Sequence, residues 1–299
     1  MKRKILIIAG PTGVGKTDLS IRMAQKFNGE IISSDSMQIY KGMDIGTAKI
    51  TKAEMKGIPH HLIDIVSPKD TFTVFDFKQK ADDLIVEIAS KNKLPMFVGG
   101  TGLYINTLLY DMDFNGSGTD LKYREELRSY YEKFGEDALY AKLLEVDQET
   151  RIEKTNIKRV IRALEIHKTQ GTIRSFDKIK EREDVDPTLI VLIRDRAELY
   201  ANINVRVDRM IQNGLVEEVR GLYEEGLDED HRSMKAIGYL QLIKYFKGVY
   251  SLDEAIEMIK QESRKYAKRQ ITWFKRYKNA KWIDLSQDPL DEFIESFKL

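Results

Sequence analysis

The sequence lacks cysteine altogether and is poor in three other residue types: of its 299 residues, six are proline, four are histidine and two are tryptophan. Without cysteine there can be no disulfide, thiolate zinc site, iron–sulfur cluster or cysteine nucleophile. Long apolar runs are also absent, since no window approaches the roughly 20 residues that cross a bilayer. The run after the basic start MKRK is too short for a signal peptide. We therefore expect a cytoplasmic protein that contacts no membrane.

Charge of one sign is not in excess either, because the formal net charge is +1. A nucleic-acid partner would therefore have to be recognised by a local basic surface rather than by the whole molecule. With 42% hydrophobic and 32% charged residues, the composition is that of an ordinary globular protein. The length allows a large core, in one domain or two.

The N-terminal residues predict a strand, a glycine loop, a helix and a second strand. Residues 4–9, KILIIA, form a short apolar run before Gly and Pro, as expected of a buried parallel strand. Apolar residues then recur at helical spacing up to Phe27, and an Asn-Gly pair follows as a stop signal. Residues 30–33 are again of β type. This order of elements is a βαβ unit.

Two further runs extend the predicted sheet. Residues 94–98 lead into a glycine-rich turn, and residues 189–193 lead into a long helical pattern. Between Asp111 and Pro187 the chain starts with the loop FNGSGTD and is then densely charged and helical in pattern, without a convincing strand. This segment is typical of a helical insertion in an α/β core.

The predicted fold class is α/β: a P-loop-type parallel sheet core flanked by helices, with a helical insertion domain. The core comprises residues 1–112 and 190–299, and the insertion comprises residues 113–189. After Asp195 the pattern is helical almost to the end. The order of the strands in the sheet is left open.

Residues 9–17, AGPTGVGKT, contain the pattern GxxxxGK[ST], which is typical of loops that hold adjacent phosphates. The glycines let backbone N–H groups turn toward phosphate oxygens, Lys16 adds a mobile cation, and the Thr17 hydroxyl can hold Mg²⁺. The alternative is a glycine turn that binds nothing. The predicted diphosphate-binding residues, called the P-loop below, are Gly10, Pro11, Thr12, Gly13, Val14, Gly15, Lys16 and Thr17.

Polar residues follow two of the other predicted strands. Ligands of open α/β sheets lie beyond the carboxyl ends of the strands, so we expect the P-loop, Asp35 and the turn Gly99–Gly102 to meet at one crevice. Asp35 is a candidate general base or Mg²⁺-orienting carboxylate. On base rates alone, an Asp at this place is a turn residue or a helix cap. The polar and aromatic residues that follow Asp35 favour recognition of a planar base.

Two adjacent histidines, His60 and His61, have no other metal-type cluster near them in sequence. Neighbouring side chains point in different directions, which does not suit a shared metal. We interpret them as structural or hydrogen-bonding histidines.

A basic and aromatic stretch lies near the C-terminus. Residues 264–278, RKYAKRQITWFKRYK, carry seven basic residues and no acidic one. As a helix the stretch would present cations to RNA phosphates while its aromatic side chains stack or pack. An amphipathic helix with core aromatics and solvated charges explains it equally well. Lys158, Arg159 and Arg162 form a second cluster with the same two interpretations.

Several stretches together resemble one family, the bacterial tRNA dimethylallyltransferases, also called isopentenyltransferases. In chain order the stretches are GPTGVGKT, ISSDSMQIYKGMDIGTAK, HHLIDI, LPMFVGGTGLYI, NIKRVIRALE, RVDRMIQNGLVEEV, AIGYLQ and RKYAKRQITWF. The block from DSMQ to GTAK and the KRQ-TWF ending are far more specific than the P-loop. The matching stretches are spread over nearly the whole chain.

The resemblance implies transfer of a dimethylallyl group from dimethylallyl diphosphate to N6 of adenosine 37, beside the anticodon, in tRNAs that read codons beginning with U. It implies that the P-loop holds the donor's diphosphate with Mg²⁺ at Thr17, that Asp35, Thr101 and Lys16 take part in catalysis, and that the protein is a monomer. The residues that it places against tRNA are Asp35, Ser36, Met37, Gln38, Thr101, Lys158, Arg159, Val160, Ile161 and Arg162.

Two positions depart from the family's pattern. Gly13 and Val14 replace the commoner Ala-Ser pair of the loop, which removes a hydroxyl at position 14, and His60 replaces the commoner Tyr. Two other functions fit parts of the sequence: a P-loop kinase or NTPase acting on a small substrate, which the loop alone favours, and a non-catalytic RNA-binding module. On the full set of motifs we do not expect hydrolysis of a nucleoside triphosphate.

Overall fold

The computed structural model describes residues 2–112, 120–171, 180–288 and 290–299. The chain divides into two compact units. Unit 1 comprises Met1–Leu109 and Arg182–Leu299, and unit 2 comprises Tyr110–Glu181. Residues 114–119 of the loop FNGSGTD lie outside the described residues.

Unit 1 is built on a parallel sheet. In chain order its strands are β1 (Arg3–Ala9), β2 (Gly29–Ser33), β3 (His60–His61), β4 (Leu94–Gly99), β5 (Val185–Ile193) and β6 (Lys281–Asp284). In space they follow the order β3-β2-β4-β1-β5-β6, and each neighbouring pair is parallel. All residues from Ile5 to Ala9 of β1 are buried. Both faces of this central strand are therefore covered, as its unbroken apolar run predicts.

Helices cover the sheet in unit 1 and form the body of unit 2. In chain order they are α1 (Lys16–Phe27), α2 (Val74–Ser90), α3 (Gly102–Leu109), α4 (Leu121–Val146), α5 (Ile157–Gln170), α6 (Arg196–Gln212), α7 (Leu215–Glu224), α8 (Tyr239–Phe246), α9 (Leu252–Phe274) and α10 (Leu290–Ser296). In the part of the chain that the structure describes, no helix is both long and apolar enough to span a membrane.

The helix ends follow signals in the sequence. Helix α1 ends where Asn28 adopts a left-handed conformation, with a φ of 50°, before β2 begins. Helices α2 and α9 each begin with a capping box, Thr73 with Asp76 and Ser251 with Glu254. In each box the hydroxyl accepts the acidic residue's N–H while the carboxylate accepts the N–H of the capping residue.

The predicted α/β class with a parallel core is confirmed, and the four predicted strands correspond to β1, β2, β4 and β5. The two edge strands were not predicted. Strand β3 has only two residues, and β6 has only Trp282 and Ile283 as apolar residues, so neither shows a period that a sequence pattern could detect. Strand β6 is a sheet element within the part of the chain after Asp195, where the sequence predicts helices almost to the end.

Strand β5 begins four residues before its predicted start, at Val185 rather than at Leu189. Asp186 and Pro187 interrupt the apolar pattern, yet they pair with Lys4 and Ile5 of β1. Residues 185–189 therefore belong to the sheet, although the predicted insertion of residues 113–189 included them.

Unit 2 consists of α4 and α5 in the residues that the structure describes. Helix α4 is interrupted at Gly135, where φ is 81°. A small apolar core holds the two helices together, and it includes Leu139, Leu143 and Val160. Helix α5 also carries the buried Glu165: burial raises its pKa, but hydrogen bonds from arginine side chains and from the Asp120 N–H outweigh this and hold the pKa below its usual value.

The chain leaves unit 1 after Leu109 and returns at Arg182, whose N–H donates to the Leu109 carbonyl oxygen at 3.0 Å. The Arg182 guanidinium is buried and donates to Asp184, to Asp82 of α2 at 2.7 Å and to the Thr107 carbonyl oxygen of α3 at 3.2 Å. Arg182 therefore ties the start of β5 to both helices.

Candidate active site

A cavity of about 750 Å³ lies in unit 1 beyond the carboxyl ends of β1, β2 and β4. Its walls include the P-loop, residues 35–38 and Gly99–Gly100, so the structure brings the three predicted segments together at one crevice. Helices α6 and α9 complete the walls, and they contribute Arg206 and Tyr266. The roles of these residues stay predictions.

The P-loop turns directly into α1, so the unpaired N–H groups of the first helical turn border the cavity. Gly15 precedes the helix with a φ of 110°, a conformation that residues with a Cβ rarely adopt. The Lys16 ammonium donates to the carbonyl oxygens of Gly10 and Pro11, at 2.9 and 2.8 Å. Val14 is buried in the core of unit 1, so it offers only its backbone to a ligand.

Two cations of the site are poorly compensated. Burial, followed by repulsion from Arg206, lowers the pKa of Lys16 to about 7, although Asp35 opposes the change. Burial also lowers the pKa of Arg206, again against the attraction of Asp35. Within the described part of the chain, the Arg206 guanidinium has neither a hydrogen bond nor an ion pair. One carboxylate beside two half-buried cations leaves an excess of positive charge that suits a diphosphate.

We expect the binding of diphosphate to take up a proton through Lys16. In the free protein the Lys16 ammonium loses its proton as the pH rises through about 7, and a bound anion restores the charged form. The proton uptake is measured by calorimetric titration of inorganic diphosphate at pH 8 in buffers of different ionisation enthalpy. The wild type should take up on the order of one proton more than Lys16→Met does. The protons of diphosphate itself cancel in this difference. Equal uptake by the two proteins would contradict the lowered pKa.

Asp35 forms a turn with one of its two carboxylate oxygens. Its Oδ1 accepts the Met37 N–H at 2.8 Å, and its own N–H donates to Ser33 Oγ at 3.3 Å. Among the described residues, Oδ2 has no hydrogen-bond partner. The turn interpretation and the catalytic one are therefore compatible, because the turn fixes the carboxylate while Oδ2 can accept a proton.

Thr101 joins the turn after β4 to the segment after β2. Its N–H donates to the Ser34 carbonyl oxygen at 3.2 Å, and its hydroxyl oxygen accepts the Ser36 N–H at 3.1 Å. The Tyr266 phenol is in hydrogen-bonding contact with Thr101 and Gln270, and burial, with a contribution from Asp35, raises the pKa of this phenol. Tyr266 therefore remains a protonated donor beside the candidate base.

Gln270 of α9 bridges the P-loop and the turn after β4. Its Oε1 accepts the Thr12 N–H at 3.0 Å, and its Nε2 donates to the Gly100 carbonyl oxygen at 3.0 Å. The side chain is buried. Sequence reasoning missed Gln270, Tyr266 and Arg206, although all three lie in the stretches RVDRMIQNGLVEEV and RKYAKRQITWF that carry the resemblance.

We expect Gly102→Ala to destabilise unit 1, because a Cβ at this position would lie 2.3 Å from the ring of Trp273 in α9. Overpacking of this kind costs about 1–3 kcal/mol, which thermal unfolding would detect as a lower midpoint. The matched control is Gly221→Ala in α7, where nothing lies within 4 Å of an added Cβ. That change should stabilise the helix by roughly 0.5–1 kcal/mol. A midpoint for Gly102→Ala at or above that of the wild type would contradict the close contact.

The two histidines make hydrogen bonds, in agreement with their interpretation from the sequence. His60 Nδ1 lies 2.8 Å from the Ile58 carbonyl oxygen, and burial lowers the pKa of His60. His61 Nε2 lies 2.7 Å from Glu30 Oε2. In the described ranges no group of three or more His, Cys, Asp or Glu side chains could hold a metal ion.

The C-terminal part of α9 has a buried apolar face and an exposed basic face. Phe274 is fully buried and Tyr277, just beyond the helix, is nearly so, which favours core packing over stacking for these aromatics. The exposed face carries Lys268, Arg269 and Lys275, and none of the three has an acidic partner among the described residues. The basic charges are therefore available to a polyanion.

The predicted tRNA-binding segment of unit 2 lies in α5. Lys158 and Arg159 are exposed, and Arg162 reaches Glu165 at 2.5 Å. Val160 and Ile161 are buried in the small core of the unit. The buried side chains of Val160 and Ile161 cannot reach RNA that binds the exposed face of α5. The prediction of side-chain contact with RNA is therefore restricted to the three basic residues.

Comparison with known proteins tests the resemblance. The model of the family described as IPP transferase matches residues 38–277. The chain belongs to this family. A tRNA dimethylallyltransferase of Clostridioides difficile (strain 630) is 52% identical over 295 residues, covering 97% of this chain and 95% of that protein. A tRNA dimethylallyltransferase of Bacillus subtilis (strain 168) is 50% identical over 294 residues, covering 97% and 93%. Membership of the predicted family is confirmed.

Solved structures agree with the family. A full-length tRNA isopentenylpyrophosphate transferase from Bacillus halodurans is 44% identical, with a TM-score of 0.75, over 98% of this chain and 94% of that one. A eukaryotic dimethylallyltransferase acting on tRNA is 30% identical, with a TM-score of 0.82, over 98% of this chain and 76% of that one. The family model begins after the P-loop and Asp35, but these longer alignments extend over nearly the whole chain.

Proposed function

We propose that the protein is a tRNA dimethylallyltransferase. It transfers the dimethylallyl group of dimethylallyl diphosphate to N6 of adenosine 37 in tRNAs that read codons beginning with U, and it releases diphosphate. The chain belongs to the IPP transferase family, and one cavity brings together two cations with little compensating charge, Lys16 and Arg206, and the carboxylate of Asp35. This combination is the observation that carries the proposal. The names of the relatives do not favour a small-molecule kinase.

The cationic end of the cavity suits the leaving group. Ionising the allylic C–O bond places negative charge on the departing diphosphate. This charge is greater in the transition state than in the bound donor. The backbone N–H groups of the P-loop, Lys16 and Arg206 would stabilise this charge in fixed positions. Because these groups act on charge that develops during the reaction, they raise the rate and do more than hold the donor.

The carboxylate end of the cavity suits the acceptor. As N6 attacks C1 of the dimethylallyl group, Asp35 Oδ2 would take the proton that N6 loses. Tyr266 lines the cavity with Asp35, and the Thr101 hydroxyl oxygen accepts the N–H of Ser36, the neighbour of Asp35; these hydroxyl groups would be offered to the base or to the donor. A cavity of about 750 Å³ has the size of a small-molecule site. The adenine would therefore enter it only after leaving its stack in the anticodon loop.

Mg²⁺ is part of the proposal, and the donor atoms fit it. The Thr17 hydroxyl and the Asp35 carboxylate line the same cavity, and both are oxygen donors of the kind that Mg²⁺ takes. Since the described residues hold no cluster of metal ligands, the ion would be shared between Thr17, diphosphate oxygens and water. When bound, it would neutralise charge on the leaving group.

The basic face of α9 and the α5 cluster would supply contacts to tRNA phosphates. Each contact of this kind depends on salt concentration, because binding releases counterions from the nucleic acid. The monomeric state and the cytoplasmic location stay predictions.

The proposal is tested by incubating the protein with dimethylallyl diphosphate, Mg²⁺ and unmodified tRNA, followed by mass spectrometry of the nucleosides. We expect a dimethylallyl group on adenosine 37 and none on the same tRNA carrying guanosine 37. No incorporation into any adenosine-37 tRNA would overturn the proposal. Phosphoryl transfer from ATP to a small acceptor, abolished by Lys16→Ala, would support the kinase in its place.

A further inference from the structure

A carboxylate of α7 holds the loop that follows the DSMQ segment. Glu218 Oε2 accepts the N–H groups of Asp44 and Ile45, at 2.9 and 2.7 Å. Its Oε1 accepts the Gly46 N–H at 3.1 Å and the Tyr239 hydroxyl at 2.6 Å. Three consecutive backbone N–H groups that converge on one anion form a nest, and here the anion is the protein's own side chain.

These four bonds use the full accepting capacity of the carboxylate, which has about four lone-pair sites. Burial raises the pKa of the Tyr239 phenol, and Glu218 raises it further, so the phenol stays a donor. The conformation of residues 44–46 thus depends on Glu218, whose carboxylate accepts a hydrogen bond at each of its lone-pair sites. An amide in its place would offer one oxygen and two donors.

The held loop continues directly into a contact with Gln38. Gln38 Nε2 donates to the carbonyl oxygens of Thr47 and Ala48, at 3.4 and 3.5 Å, while its Oε1 accepts the Ser33 hydroxyl at 3.0 Å. All four residues line the cavity. The carbonyl oxygens of Thr47 and Ala48 can only accept, so the end of the amide that faces them is Nε2, and Oε1 then faces the Ser33 hydroxyl. Because both Nε2 bonds are long, a small shift of the loop would release them.

The end of the loop is fixed separately. Lys49 Nζ donates to the Tyr40 carbonyl oxygen at 2.8 Å and pairs with Asp44 and Asp64, at 2.5 Å each. Loss of Glu218 would therefore shift residues 44–48 locally and leave both ends of the segment attached.

We propose that Glu218 is a positioning residue for the acceptor base: it holds residues 44–46 so that the Gln38 amide is presented to adenine. The inference rests on the proposed function, in which Gln38 contacts the tRNA. A primary amide can present one of its N–H donors and its carbonyl acceptor in a single plane, which match the N7 and N6 edge of adenine. Glu218 itself touches neither substrate.

The first test is Glu218→Gln, with Glu217→Gln as the matched control on the same helix. We expect kcat/KM for tRNA to fall on the order of tenfold to a hundredfold in Glu218→Gln. The KM for dimethylallyl diphosphate should stay within about twofold, because the P-loop is not part of the network. Glu217 is exposed, so its variant should match the wild type in both constants. A purely structural role would instead lower the amount of active enzyme and change neither KM.

The second test is a double-mutant cycle between Glu218→Gln and Gln38→Ala. If Glu218 acts through Gln38, the double variant should be no slower with tRNA than Gln38→Ala alone. If the double variant instead loses activity by the product of the two single-variant factors, the inference is wrong. Should Glu218→Gln fail to fold, Glu218→Asp, which keeps the charge but reaches less far, replaces it in the cycle with the same expectation.

The wild type is assayed in parallel so that two failures can be told apart. If the wild type transfers no dimethylallyl group, the proposed function fails. If the wild type is active and Glu218→Gln equals Glu217→Gln with tRNA, the proposed function stands and the inference about Glu218 is wrong.

Discussion

Asp35→Asn should lower the single-turnover rate of prenyl transfer by roughly a thousandfold, the scale of a lost general base. The amide keeps an oxygen that can accept the Met37 N–H at 2.8 Å, so the turn after β2 should persist. What disappears is the second carboxylate oxygen, which would otherwise take the N6 proton. The affinities for dimethylallyl diphosphate and for tRNA should change far less than the rate, and equilibrium binding of each would measure this.

A matched control for this variant is Asp18→Asn in α1. Asp18 is exposed and close in sequence to the P-loop, and its one ion pair with a described residue is a 3.9 Å contact to Arg22. Its variant should be as active as the wild type. If Asp35→Asn loses tRNA affinity but retains the single-turnover rate, Asp35 is a contact residue and another group removes the proton. Unchanged activity of every kind would instead favour the non-catalytic RNA-binding module.

Arg206→Gln should reduce kcat/KM for dimethylallyl diphosphate by roughly a hundredfold to a thousandfold, the scale of one lost group that stabilises transition-state charge. The guanidinium has no partner in the described part of the chain, so its removal breaks no protein contact. Part of the loss should appear in kcat, since the charge on diphosphate grows as the C–O bond ionises. Steady-state kinetics with the donor varied at saturating tRNA would separate kcat from KM.

The same variant should change the titration of Lys16. Repulsion from Arg206 is one cause of the lowered pKa of Lys16, so its removal should raise this pKa and reduce the proton uptake on diphosphate binding at pH 8. The control is Arg196→Gln at the exposed start of α6, which should alter neither kinetics nor proton uptake. An unchanged uptake in Arg206→Gln would show that the two cations do not interact.

The central fold was predictable because its signals are local. Strands β1 and β4 are apolar runs next to glycine, α1 has a helical apolar period with a stop at Asn28, and β2 follows that stop as the second strand of a βαβ unit. The edge strand β6 was missed because an edge needs few apolar residues, and the start of β5 was missed because pairing with β1 outweighs the poor strand propensity of Pro187.

The site was predictable where the chemistry lies in one short segment, as in the P-loop and at Asp35. Gln270 was not, because its partner Thr12 is 258 positions away and no local pattern records a contact across that distance. Arg206 was missed for a related reason: its importance follows from its place in the cavity wall with Lys16 and from the lack of a side-chain partner among the described residues, and both are properties of the folded chain. Val160 and Ile161 show that a motif can also include residues whose side chains are buried in the core.

The hydrogen bond between Arg182 and the Leu109 carbonyl oxygen has an evolutionary consequence. The chain leaves unit 1 and re-enters it at neighbouring points, so the length of the inserted segment has little effect on the stability of the sheet. Each doubling of a flexible loop costs only about 0.6 kcal/mol. Insertions, deletions or even a whole replacement within residues 110–181 need not alter β4, β5 or the cavity. A lineage can therefore change the size and charge of its helical insertion while the sheet and the cavity of unit 1 are inherited unaltered.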